Sequence, residues 1–117
     1  MPVVVFPVLV RESAELQSTE ILHSHKELIC FVEEFADLID EFEGWDSLCR
    51  PLNLRSVAQQ LQQKSPPIAT LANDTPEVDS VWRIVNEYCA LNEIMIDKLP
   101  ISPVSALDGA LRRKWNK

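Results

Sequence analysis

The chain begins MPVVVFPVLV, residues Met1 to Val10, and how that run is read decides the fold. The run is apolar and rich in β-branched residues, the composition of a strand. Pro7 removes a backbone donor in its middle, which demotes a strand to a sheet edge or an extended arm. Pro7 also suits the first position of a helix continuing through VLVRESAELQ. A strand needs a partner, and the one short candidate elsewhere is IATLA, Ile68 to Ala72. The expectation is therefore a mainly α chain, a single-domain bundle of four to five helices, with residues 2–10 open between strand, extended arm and helix.

Working outward, Thr19 is an N-cap candidate with Glu20 in the first turn. Ile21, His25, Leu28, Val32, Phe35, Ile39 and Phe42 then recur in alternating steps of four and three. That spacing predicts one long helix with a buried stripe, widened by Leu22, Ile29, Ala36, Phe31 and Leu38. Gly44 suits the position that stops it. A second helix follows, capped by Asn53, with Leu54, Val57 and Leu61 on its apolar line and Ser65-Pro66-Pro67 ending it. Thr75-Pro76 opens a third helix, with Val78, Val81, Trp82, Val85, Cys89, Ile96 and Leu99 inward and Pro100 as its stop. Ser102-Pro103 opens a fourth, with Val104, Leu107, Leu111 and Trp115 inward and Gly109 as a weak point.

At 117 residues the chain fits one domain spanning 1–117. Folding a chain of this size hides roughly two thirds of its surface. The longest apolar run is about half the length a membrane span needs, and no basic leader or small-residue cleavage site accompanies it. A cytoplasmic protein is expected, with no membrane partner. Cys30, Cys49 and Cys89 are three and far apart, which is not a disulfide framework. Cys30 and Cys89 fall in helical stretches and read as small buried hydrophobes.

Net charge is −7, unevenly spread. Residues 1–49 hold eleven acids and two bases, and residues 50–117 seven acids and nine bases. Such a surface repels nucleic acid and favours a basic protein partner. The acids concentrate in FVEEFADLIDEFEGWD, Phe31 to Asp46, which has seven carboxylates and no base. On a helix, Glu33, Glu34, Asp37, Asp40 and Glu41 fall in one arc of about 120°. Like charges one turn apart repel by a few tenths of a kcal/mol per pair. Three readings of this face compete: a docking surface for a basic partner, a solvated face that aids solubility, and a face neutralised by the chain's own Arg112–Lys117 tail. Trp45 and Asp46 follow it; Trp45 reads either as a side chain that covers the helix end or as an anchor with a charged rim.

No enzyme chemistry is legible. Counting back from Gly44 puts Ile39 where an EF-hand needs its first carboxylate. His23 and His25 lack a Glu three residues before them, so no di-iron pattern forms, and two residues apart on a helix they chelate poorly. His25 reads as a hydrogen-bonded residue at the edge of the core. Only two glycines are present, too few for a phosphate-cradling loop with its neighbours. No metal or cofactor is expected.

In size, charge and composition the chain resembles the bacterial immunity proteins of colicin and contact-dependent growth inhibition systems. The resemblance implies an antitoxin that neutralises a basic toxin, such as a nuclease domain, by occluding its cleft. The residues expected to do so are Glu33, Glu34, Asp37, Asp40, Glu41, Trp45 and Asp46. The alternative is a structural or regulatory adaptor, a homo-oligomer among the options, that contacts partners through apolar surface such as an exposed N-terminal arm.

Overall fold

The run after Pro7 is the middle strand of a sheet. In the computed structural model, Val8–Glu12 forms β1, and Val8, Leu9 and Val10 are completely buried. β1 lies between β2 (Glu15–Leu22) and β3 (Phe42–Trp45), antiparallel to both. The structure describes residues 3–13, 15–96 and 102–115, with side chains at all of these except 15–17, 114 and 115. The expected all-helical bundle is thus overturned by a three-stranded sheet. Pro7 does not interrupt the strand because it precedes it, so its missing donor falls outside the ladder.

The uninterrupted apolar run has a physical cause. A strand covered on both faces shows no polar alternation. Val8 and Val10 point into one core with Leu22, Leu28, Phe31, Val32, Leu54 and Val57. Leu9 points into a second core with Trp45, Val81, Val85, Val104 and Leu107. The register agrees: Leu22 lies opposite Val8, while Ile21 and Trp45 lie opposite Leu9. Burying each such side chain is worth roughly 1.5–3 kcal/mol.

The predicted long helix is four elements. Thr19 to Leu22 belongs to β2, helix α1 is His25–Glu34, a 3-10 helix covers Ala36–Glu41, and Phe42 opens β3. The cap of α1 is Ser24, whose hydroxyl accepts the Glu27 N–H at 3.2 Å. Glu27 returns its carboxylate to the His23 N–H at 2.7 Å, a close variant of the capping box. Gly44 is not a helix stop. A Cβ there would sit 3.0 Å from Val10 Cγ1 and 3.1 Å from the Leu9 carbonyl oxygen, so the close β1–β3 pairing at Val10 favours glycine.

Helix α2 (Leu54–Gln62) is capped by Asn53 as the sequence predicts, its side chain accepting the Ser56 N–H at 3.0 Å. Helix α3 (Val78–Leu91) starts after the expected Thr75-Pro76 because Glu77 is held elsewhere. The Glu77 N–H donates to the Cys49 carbonyl at 2.8 Å, and its carboxylate accepts from Trp45 Nε1 at 2.8 Å. Val78, expected inward, is 43% exposed as a result. Helix α3 ends at Leu91, well before Pro100, and Glu93 follows with a left-handed φ of 55°. Helix α4 (Pro103–Trp115) opens at Ser102-Pro103 as predicted, with Ser102 Oγ accepting the Ser105 N–H at 3.2 Å. Leu99, Pro100 and Lys117, and the side chains of Lys114 and Trp115, lie outside the described residues.

Helices α1 and α2 cover one face of the sheet and α3 and α4 the other. The IATLA segment does not pair with β1; Leu71 bridges Leu52, whose segment turns back after the 46–50 turn to pair antiparallel with the end of β3. Cys49 and Cys89 are buried, whereas Cys30, expected buried, is exposed.

Candidate protein-interaction surface

The acidic stretch leaves the helix where its own charge disfavours continuing. Glu33 and Glu34 occupy the C-terminal turn of α1, the negative end of the dipole, where no base offsets them. The chain turns at Phe35 and tightens into the 3-10 helix. An aromatic cluster holds this junction. Phe31, Phe35 and Phe42 have ring centroids 4.9 to 5.4 Å apart in tilted or edge-on pairs. With the rings inward, Glu33, Glu34, Asp37, Asp40 and Glu41 face solvent.

These five carboxylates remain on one continuous piece of surface chain, though not on one helix. Asp40 has a partner, Arg55, whose Nε lies 2.8 Å from Oδ1. Both side chains are about two-thirds exposed, at 65% and 66%, and such pairs are worth little. The carboxylates of Glu33, Glu34, Asp37 and Glu41 make no hydrogen bond or ion pair with a described residue. Arg112, expected as a neutralising base, pairs with Asp108 of its own helix at 3.3 Å. On β2, partial burial, and then the charge of Glu34 alone among these acids, push the Glu20 carboxyl above its usual range. Leu38 stands among these acids and is 53% exposed. Sequence spacing assigned Leu38 to the buried stripe, because a continuous helix would have turned it inward.

Trp45 and Asp46 do not belong to this surface. Trp45 is 5% exposed and forms part of the second core. Asp46 is fully buried, and its carboxylate is saturated. It accepts the N–H groups of Leu48 and Arg50, each at 3.0 Å, and that of Val5 at 3.2 Å. The Arg50 guanidinium adds Nε at 3.1 Å and Nη2 at 2.7 Å, and also donates to the Val3 carbonyl. Asp46 therefore ties the N-terminal arm to the 46–50 turn. Burial, and then the charge of Asp46, push the neighbouring Cys49 thiol up to about 11. A thiol so protonated is a poor nucleophile.

His23 and His25 serve contacts rather than a shared site. His23 Nε2 lies 2.6 Å from Asp108 Oδ1, joining the start of α1 to α4. His25 is exposed, and its Nε2 accepts the Ala69 N–H at 3.3 Å. Among the described residues no three His, Cys, Asp or Glu side chains gather as a metal site, and no helix is long and apolar enough to cross a membrane. Set beside protein-family models, curated proteins and solved structures, the chain finds no match.

Proposed function

We propose that this chain is a small protein-binding inhibitor, an immunity protein or antitoxin acting in the cytoplasm. Its exposed acidic surface covers a basic cleft of its partner, such as that of a nuclease toxin. One observation carries the reading: Glu33, Glu34, Asp37 and Glu41 are exposed without partners among the described residues, around an exposed Leu38. Their mutual repulsion costs folding a few tenths of a kcal/mol per close pair, and no contact within the described fold offsets it. A basic partner would convert that repulsion into attraction and speed encounter by steering. Leu38 supplies an apolar contact that such a rim would shield from water.

The test is capture from lysate at low salt, repeated with Asp37 and Asp40 both changed to Lys. A basic protein held by the original chain and lost by the variant supports the reading, as does release by added salt. Capture of the same partner by both chains overturns it. The adaptor reading draws on Val3 and Ile68, which are 77% and 65% exposed. On that reading, removing residues 1–5 abolishes partner capture and the lysine substitutions do not.

A further inference from the structure

A groove of about 680 Å³ opens at the N-terminal end of α1. It is distinct from the acidic surface, which begins at the other end of that helix, about 15 Å away for ten residues. One wall is the N-terminal arm and the other is the segment from Ile68 to Asp74. Val4, Phe6, Ala69 and Leu71 give it an apolar lining, and Val3 and Ile68 form exposed apolar rims.

Both walls are fixed by hydrogen bonds from outside the groove. The arm is held by Asp46 and Arg50 through Val5 N and Val3 O. The opposite wall is held by Asn53 N on Thr70 O and by Ala72 N on Pro51 O, each at 2.9 Å. The Gln60 amide grips both Ile68 N and Ile68 O, at 3.0 and 3.1 Å. The groove therefore exists before anything enters it, and its size suits a small molecule.

The polar groups at its edge specify charge. His25 Nε2 is engaged by the Ala69 N–H at 3.3 Å. Asn73 Oδ1 is taken by the Thr75 N–H. Asp74 is exposed, lines the groove and has no partner among the described residues. Among the described residues no Lys or Arg lines it. The cavity thus offers hydrocarbon contact and, from Asp74, one carboxylate in its lining.

We propose that this groove binds a small amphipathic amine, with its hydrocarbon part on Val4, Phe6, Ala69 and Leu71 and its ammonium at Asp74. The proposal stands apart from the acidic docking surface and does not depend on it. The experiment titrates the full chain, labelled for amide NMR, with octylamine, octanol and octanoate, the same hydrocarbon carrying three different heads. Octylamine is expected to shift the amides of His25 and residues 69–74. An exposed ion pair should let it bind about two- to fivefold tighter than octanol, with octanoate the weakest. Asp74→Asn, an exposed loop change that leaves the fold intact, should bring octylamine and octanol to equal affinity. Ala69→Phe should fill the groove and abolish the shifts for all three. The proposal is overturned if the amine shifts residues 33–41 and leaves 69–74 unmoved, if octanoate binds as tightly as octylamine, if Asp74→Asn leaves the preference unchanged, or if no ligand shifts these amides.

Discussion

Asp37 and Asp46 stand nine residues apart in one acidic stretch, yet they do opposite things. Asp46 is fully buried among five donors contributed by Val5, Leu48 and Arg50. Asp37 is exposed and has no partner among the described residues. The first carboxylate exchanges water for a complete set of protein donors and so organises a turn and an arm. The second keeps its water and leaves its charge available outward. Glu43 lies between these extremes, half-buried and paired with Arg11 Nε at 2.7 Å across the β1–β3 ladder. A run of like charge in a sequence is therefore not one surface, because backbone donors decide which members are neutralised.

The contrast can be broken most forcefully at Asp46. Asp46→Ala leaves a part-buried guanidinium without its counter-ion and several N–H groups without an acceptor, and should cost about 3 kcal/mol. Urea unfolding checks this, and a loss below about 1 kcal/mol would mean that the carboxylate is replaceable by water. The intermediate case is Arg11→Met, which keeps the stem and removes the pair with Glu43. It should cost about 1 kcal/mol by the same measurement.

Glu20 supplies a smaller and pH-dependent effect. Its folded carboxyl titrates above the ordinary 4.5 because of partial burial and the charge of Glu34. Ionisation is thus disfavoured in the fold, so the cost is absent below the ordinary value and complete above the folded one. Glu20→Gln should raise stability at pH 7 by no more than about 0.5 kcal/mol, and the gain should vanish below pH 4.5. A gain that is the same at both pH values would show that the acidic surface does not reach β2. Smallest of all on stability is the pair Asp37→Lys with Glu41→Lys, within about 0.5 kcal/mol of the original. Its effect should appear in partner capture at low salt. A large loss of stability from that pair would show that these acids serve the fold.

Much of the secondary structure was legible where local chemistry is decisive. Asn53 before α2 and Ser102-Pro103 before α4 act within a single turn, so a short window of sequence contains the whole cause. The sheet was hidden by two coincidences. Pro7 looks internal to an apolar run, although the strand begins at the next residue. Ile21, His25 and Leu28 keep helical steps straight through the junction between β2 and α1, so periodicity alone reports one helix. The Ser24-x-x-Glu27 signature marks the true start and was present in the sequence. The exposure of Glu33, Glu34, Asp37, Asp40 and Glu41 was legible as an acidic face. The loss of Asp46 to the interior was not, because one of its donors comes from Val5, forty-one residues away. Leu38 was assigned to the wrong side for the same reason as β3: the helix ends at Glu34.

All three strands lie within residues 8–45, whereas the helices that cover the second face of the sheet begin at Val78. On a ribosome the chain therefore presents Leu9, Ile21 and Trp45 to water while their cover, through Leu107, is still being made. At ordinary synthesis rates that interval lasts roughly 3–12 s. The nascent segment exposed over that time carries eleven acids and two bases in its first 49 residues. Neighbouring nascent chains on one polysome would repel each other through that charge. The acidity concentrated in the first half of the sequence would thus oppose association of an unfinished sheet at the moment it is most adhesive.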